Sequence, residues 1–256
     1  MIQLTRRLQQ IADMVTPGAR VADIGTDHGQ LMAYLAVEGI LSTGYACDIN
    51  EKPLDKARRL LADLGRQDQV RCVLAGGLDG LEPGCVDTVV IAGMGGDLTA
   101  RIVDAAPWLR EYRTRLLLQP MTKSDHLREY LYRNGFRVEM ENAVVSGRFV
   151  YTVFSAVYDG TVRELGLLER YIGRALEGNS PDTDHYLMRI RSNLRRRAAG
   201  IERSKTGDRT RQAEYLEVIG KLETLLKERG YDDDSWEDPS DPGSDGALSY
   251  TGEVGQ

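Results

Sequence analysis

The chain has 256 residues, of which 41% are hydrophobic and 28% charged, with a formal net charge of −6. That apolar fraction supports a packed core and excludes a wholly disordered chain, while the length suits one large domain with a smaller one beside it. No N-terminal signal pattern and no apolar run approaching about 18 residues occurs, so a cytoplasmic protein without membrane contact is expected. From Tyr231 onward the chain carries eight acids and no Lys or Arg, which leaves the rest slightly basic. This Gly/Ser/Pro/Asp-rich end buries too little surface to fold, and residues 231–256 are expected to form an acidic disordered tail. The widely spaced Cys47, Cys72 and Cys85 form no C-x-x-C pair and read as buried free thiols in a reducing compartment. No spaced His/Cys/Asp set suggests a metal.

An amphipathic helix opens the chain over about 3–15. Strand-like runs then follow at 20–25, 43–48, 70–74, 86–92 and 114–119, with helical patterns between them at 29–38, 52–65, 96–106 and 123–134. This alternation is the pattern of an α/β sheet. Two further strand-like runs, beginning at Phe136 and Phe149, are joined by Ser146-Gly147-Arg148 with no helix between, and predict a closing antiparallel hairpin. Beyond Asp159-Gly160 strand-like runs vanish. A helix is expected over 163–177. Leu187, Ile190, Leu194 and Ile201 then share one helical face, as do Tyr215, Val218, Leu222 and Leu225, with a break near Thr206-Gly207-Asp208. We therefore divide the chain into a sheet domain (1–159), an α-helical coiled-coil hairpin domain (160–230) and the acidic tail (231–256).

The first strand runs directly into a turn, Val21-Ala22-Asp23-Ile24-Gly25-Thr26-Asp27-His28-Gly29. A dinucleotide site places glycines so that backbone approaches a pyrophosphate at a helix N-terminus. Here Asp27 stands at the second glycine position, where its carboxylate would repel a pyrophosphate. A sulfonium such as S-adenosyl-L-methionine (SAM) has no phosphate and tolerates that acid. Parallel strands closed by one terminal hairpin likewise fit a Rossmann-like, seven-stranded class I methyltransferase sheet better than a dehydrogenase sheet. Asp23 and the glycines Gly25 and Gly29 are thus candidates for the methionine side of SAM. Asp48, followed by Ile49, ends the second strand, where an acid can take ribose hydroxyls. Gly76, Gly77 and Leu78 follow the third strand and are candidates for the adenine edge. The fourth strand leads into Gly93-Met94-Gly95-Gly96, a glycine-rich run with room for a planar base, and the fifth ends in Gln119, whose amide suits a base edge. Ligands of open α/β sheets bind at the carboxyl ends of the strands, so these positions should converge. His28 lies on the turn itself, whereas His126 and His185 read as surface residues.

The helical hairpin carries Arg189, Arg191, Arg195, Arg196, Arg197, Arg203, Lys205, Arg209 and Arg211. Clustered Arg is the usual footprint of phosphate contacts, and few acids offset it between 186 and 201. Arg189, Arg195, Arg196, Arg197 and Arg203 are the leading candidates for contacts with RNA.

Taken together, Asp23-Ile-Gly-Thr-Asp-His-Gly, Ile91-Ala-Gly-Met-Gly-Gly and Leu118-Gln-Pro resemble the bacterial tRNA (adenine(22)-N(1))-methyltransferase family, the TrmK type, over about residues 1–160. The resemblance implies a SAM-dependent enzyme methylating N1 of an adenine in the tRNA D-arm, with tRNA gripped by the helical domain. Carried over by motif, Asp23, Gly25, Asp27, His28 and Gly29 line the methionine side of SAM, Asp48 holds the ribose, and Met94 and Gly95 border the base. Asp27, His28 and Met94 are then the catalytic candidates, with Gly93 and Gly95 counted to the cofactor site. The chain departs from the family pattern at Met121, where Gln-Pro-Asn is expected, and in its acidic tail. The alternatives are a SAM-dependent enzyme acting on a small molecule or protein, and a non-catalytic RNA-binding module; a dinucleotide oxidoreductase is disfavoured by Asp27 and the hairpin. For the oligomeric state the sequence leaves a monomer and an oligomer open.

Overall fold

Unbroken apolar runs in the inner strands, such as Val89-Val90-Ile91 and Leu116-Leu117-Leu118, require helices on both faces of a sheet, and this is what forms. The structure is a computed structural model describing residues 2–178, 180–204 and 206–231; the acidic tail from Asp232 and Lys205 lie outside the described residues. The five parallel strands are β1 (Ala19–Ile24), β2 (Leu41–Asp48), β3 (Val70–Leu74), β4 (Thr88–Gly95) and β5 (Arg115–Thr122). The antiparallel pair β6 (Phe136–Ser146) and β7 (Phe149–Tyr158) completes a seven-stranded sheet of order β3-β2-β1-β4-β5-β7-β6. The expected closing hairpin is therefore present, with β7 inserted beside β5.

Side chains alternate across the strands as a two-residue period demands. Val89, Ile91, Leu116 and Leu118 pack on one face with Val103, Leu109, Leu127 and Leu131. The residues between them, Val90 and Leu117, pack on the other with Ile11, Leu31, Leu35 and Leu61. The first face is covered by α4 (Gly96–Asp104), α5 (Trp108–Glu111) and α6 (Ser124–Arg133), the second by α1 (Arg6–Ala12), α2 (Gln30–Val37) and α3 (Glu51–Asp63). The opening helix is shorter than its amphipathic pattern at both ends; its start is set by Thr5, which caps it by accepting from the Leu8 amide. The fourth strand is longer than expected: Gly93, Met94 and Gly95 stay in β4, with irregular register against β5 at Ala92–Gly95. Cys47 is buried, Cys72 and Cys85 are half-buried, and all three are free; burial pushes the Cys47 thiol up to about 12.

The C-terminal helices are α7 (Leu167–Ile172), α8 (Thr183–Arg203) and α9 (Arg209–Glu228). The helix expected at 163–177 is thus reduced to a short segment that ends at Gly173, whose φ is +59°. The long pair forms the expected antiparallel hairpin. Leu187, Leu194, Tyr215, Val218 and Leu222 are buried between its helices, with Ile190, Ile201 and Leu225 at the margin. Ala143 of β6 belongs to the same cluster and Val150 of β7 packs against it, so the hairpin is seated on the sheet's antiparallel edge.

That seat is pinned by a buried ion pair. Arg128 of α6 and Glu141 of β6 are both about 1% exposed, and Arg128 Nη2 lies 2.5 Å from Glu141 Oε1. All five guanidinium N–H donors find acceptors: Glu141 twice, the Arg170 and Tyr171 carbonyls at 3.0 and 2.9 Å, and the Tyr186 hydroxyl at 2.7 Å. Glu141 also accepts from Thr152 Oγ1 at 2.5 Å and from the Arg174 amide at 2.9 Å. Residue 173 must be glycine here, because a Cβ would collide with the Glu141 carboxylate and the Arg128 guanidinium. Removing one partner of such a pair leaves a buried charge uncompensated. Arg128→Met is expected to cost about 3–5 kcal/mol in chemical denaturation, and Arg128→Met combined with Glu141→Met to recover much of that loss.

Candidate active site

Strand order reverses between β1 and β4, since β2 and β3 lie on one side of β1 while β4 and β5 lie on the other. At such a switch point the connections leave in opposite directions, and a crevice opens at the carboxyl ends of the strands. Asp23 stands at the end of β1, 5% exposed, and accepts a 2.7 Å hydrogen bond from Thr26 Oγ1. Burial pushes its carboxyl up to about 6, against the lowering effects of Thr26 and the Arg7 guanidinium. Gly25 follows with φ +75°, and a Cβ there would collide with Met94 Cε. Gly25 is thereby the contact that lets β4's glycine-rich end sit over the first turn.

Asp27, His28 and Gly29 form one 3-10 turn before α2. Gly29 has φ +71°, and a Cβ there would lie 2.7 Å from Ala57 Cβ of α3. His28 adopts φ +63°, a left-handed conformation that costs a non-glycine residue energy. Its Nε2 accepts from Lys56 Nζ at 2.9 Å and lies 3.4 Å from Asp27 Oδ1. The Asp27 side chain is 86% exposed.

At the end of β2, Asp48 Oδ1 accepts from the Asn50 amide at 2.8 Å, and its carbonyl accepts from Ala75 N. Two large apolar side chains flank it in water: Ile49 is 73% and Leu74 56% exposed. Gly76 is exposed and Gly77 has φ +61° facing Ile102, but the Leu78 side chain is turned into the core. Only the backbone of Leu78 can face a ligand.

Gln119 takes an inward role. Fully buried, its Oε1 accepts from Arg7 Nη1 at 2.8 Å and from the Gly93 amide at 3.2 Å. The amide expected to read a base edge is thus spent on holding Gly93, whose φ is +82°, and the N-terminal helix. Arg7 went unmarked in the sequence because nothing in α1's periodicity separates it from Arg6. Beyond Met94 and Gly95, Asp97 of α4 bonds Lys123 Nζ and lies 2.9 Å from His126 Nδ1; these two partners hold its carboxyl below the ordinary range. Gly96 admits Lys123's carbonyl, which a Cβ would strike.

The basic residues of α8 divide. Arg189 and Arg197 face a cleft beside the carboxyl edge, while Arg195 reaches Glu223 of α9 at 2.5 Å and Arg196 reaches Asn193 at 2.5 Å. Arg203 is exposed at the helix end, and Arg191 is buried. Among the described residues no cluster of His, Cys, Asp and Glu suits a metal, and no helix is long and apolar enough to cross a membrane.

Sheet order, glycine-lined switch point and terminal hairpin define the class I SAM-dependent methyltransferase architecture, and a model of the methyltransferase domain matches residues 4–154. The chain is 32% identical over 174 residues to the tRNA (adenine(22)-N(1))-methyltransferase of Bacillus subtilis, covering 65% of this chain and 73% of that one. It belongs to that family. Among solved structures, the B. subtilis m1A22 tRNA methyltransferase TrmK superposes with a TM-score of 0.71 at 26% identity, over 89% of this chain and 99% of that one. A Streptococcus pneumoniae protein described as a candidate tRNA (m1A22) methyltransferase, solved in complex with SAM, gives 0.74 at 26% identity, over 88% and 100%.

Asp23 carries a consequence for stability. Its carboxyl titrates near 6 in the fold against 3.8 ordinarily, so the folded state binds that proton more tightly than the unfolded chain. The resulting stabilisation is greatest at low pH and is lost as pH rises through about 6, by about 3 kcal/mol at full ionisation. Asp23→Asn is therefore expected to raise the melting temperature of the ligand-free protein by several degrees above about pH 7. That gain should vanish toward about pH 4 in thermal denaturation across the range.

Proposed function

We propose that the protein is a SAM-dependent tRNA methyltransferase acting on N1 of an adenine in the D-arm, adenine 22. The observation that carries this reading is the meeting of Asp23, Gly25, Asp48 and Gly93 at one sheet edge, with the arginine-bearing α8 standing beside it. Family membership supports the choice of cofactor and substrate.

The residues present fit SAM. Gly93, at positive φ, leaves open space where a Cβ would meet nothing nearer than Arg7 Nη1 at 3.8 Å, and Gly25 lets Met94 close over the first turn. Ile49 and Leu74 expose apolar surface on either side of Asp48, which a flat purine would cover. Asp48 would take the ribose hydroxyls, and the backbone of Gly76, Gly77 and Leu78 would border the adenine edge. Arg7, poised by Gln119 beside Asp23, would hold a carboxylate. Asp23, Asp27 and Asp48 give the crevice the negative character that suits a sulfonium and repels a pyrophosphate. The cofactor supplies an electrophilic methyl group.

N1 of adenine has an in-plane lone pair, so no residue needs to remove a proton before the transfer. The product base is cationic, and the protein's task is to expose N1, hidden by Watson–Crick pairing, and to align it. Met94 and Gly95 would border the base. Asp27 would oppose the positive charge arriving on it, with His28, held by Lys56, setting the conformation of the turn. Arg189 and Arg197 would face the RNA from the cleft side of α8 and Arg203 from its end, tRNA phosphates being the partners their charge suits, while Arg195 is turned to Glu223 and Arg196 to Asn193.

Incubating unmodified tRNA with labelled SAM, followed by nucleoside mass spectrometry, should yield 1-methyladenosine; a different methylated nucleoside would displace this reading. Asp27→Ala is expected to reduce kcat by about 100-fold with SAM affinity changed by less than about threefold. Single-turnover kinetics beside calorimetry separates the two, and equal losses would make Asp27 a cofactor-holding residue.

A further inference from the structure

Beside the carboxyl edge lies the cleft that Arg189 and Arg197 face, about 690 Å³ and within the size range of small-ligand sites. Its walls come from the end of β5 and the start of α6, the start of β7, and α8, with Tyr171 of α7 between them. β7 pairs with β5 only as far as Leu118↔Phe154, so Phe149 to Thr152 overhang the sheet edge beside Pro120 to Thr122. Thr122 is in register with Gly95, and its Oγ1 would lie 3.2 Å from a Cβ there. The cleft therefore begins one strand away from the run proposed to border the target base.

Its lining is aromatic and cationic together. The Phe149 ring is partly exposed, with the Arg189 guanidinium at 5.6 Å and that of Arg148 at 5.0 Å from its centroid. The Tyr151 ring lies 6.0 Å away. Arg197 stands further along α8, 3.9 Å from Asp125, the one carboxylate in the lining. Asn193 lies between the two arginines on the same wall. A flat π-face, guanidinium groups and a side-chain amide in one concave surface are what an unstacked nucleotide requires: a ring to stack on, cations for its phosphate and a hydrogen-bonding group for a base edge.

We propose that this cleft is a second nucleotide subsite, which takes the nucleotide flanking the target adenine once the RNA strand is unstacked. Its base stacks on Phe149, its phosphate lies between Arg189 and Arg197, and the Asn193 amide, whose Oδ1 already accepts from Arg196, donates through Nδ2 to the base edge. The subsite explains how a base pair could be opened without a dedicated wedge: the energy of seating the neighbour offsets unstacking of the target. It rests on the tRNA reading above, and the test separates the two.

The full-length protein is mixed with tRNA carrying 2-aminopurine on one or the other side of the target adenine. Stacking on Phe149 should quench the fluorescence from one of the two positions. Phe149→Ala should abolish that quench and raise KM for tRNA roughly tenfold with SAM affinity unchanged in calorimetry, and Phe149→Trp should restore both. If the wild-type protein forms 1-methyladenosine but Phe149→Ala alters neither fluorescence nor KM, the subsite is wrong while the enzyme assignment stands. A wild-type protein that forms no 1-methyladenosine overturns the assignment and the subsite with it. A dimer in light scattering that Phe149→Ala dissociates, with no change in fluorescence, would give the cleft to a second copy of the chain and overturn the proposal.

Discussion

Arg128 and Glu141 bring two charges into the protein interior, where each would be costly alone, and the surrounding backbone is arranged to satisfy them. Their network ties α6 and β6 to the carbonyls of Arg170 and Tyr171 and to the hydroxyl of Tyr186. Through it the sheet and the helical hairpin become one frame. The consequence reaches the candidate site, because α6 begins directly after Lys123, whose carbonyl fills the space that glycine leaves at position 96. The helix held by the buried pair therefore sets both the far end of the glycine-rich strand and the wall of the cleft beside it. Arg6, which reaches from α1 to Asp182 at 2.9 Å, adds a second tie between the same two parts.

The crevice itself follows from the reversal of strand order at β1 and β4, and the chain is strained and desolvated there. His28 is left-handed, Asp23 is a buried acid whose ionisation opposes folding, and apolar side chains stand in water at Ile49 and Leu74. Each feature costs stability in the ligand-free protein. Arg7 and Gln119 illustrate how closely the site depends on the packing around it. A residue of the first helix and one of the fifth strand meet at Gly93, joining elements far apart in the chain.

Much of this was legible from residue pattern. The alternation of strands and helices, the terminal hairpin, the paired apolar faces of α8 and α9 and the Asp-rich first turn all arise from local periodicity and turn chemistry, which neighbours along the chain decide. The elements whose extents differed are those where long-range contacts intervene. β4 runs on through Gly93 to Gly95 because β5 continues to pair with it, and α7 stops early because Gly173 must clear the buried ion pair. The arginines of α8 were visible as a charged run, but their division between the cleft and α9 depends on which side of the helix faces each neighbour.

The amino-acid sequence by itself determined the α/β class, the closing hairpin and the Asp- and Gly-rich turn after the first strand, since these depend on residues adjacent or regularly spaced along one segment. Tertiary structure alone decided that Gln119 turns inward, that Leu78 offers only backbone, that Arg7 reaches the crevice and that Phe149 meets Arg189 over a cleft. Those outcomes are set by packing between segments remote in sequence, where burial and hydrogen-bond satisfaction choose a side chain's direction and no local pattern records the choice.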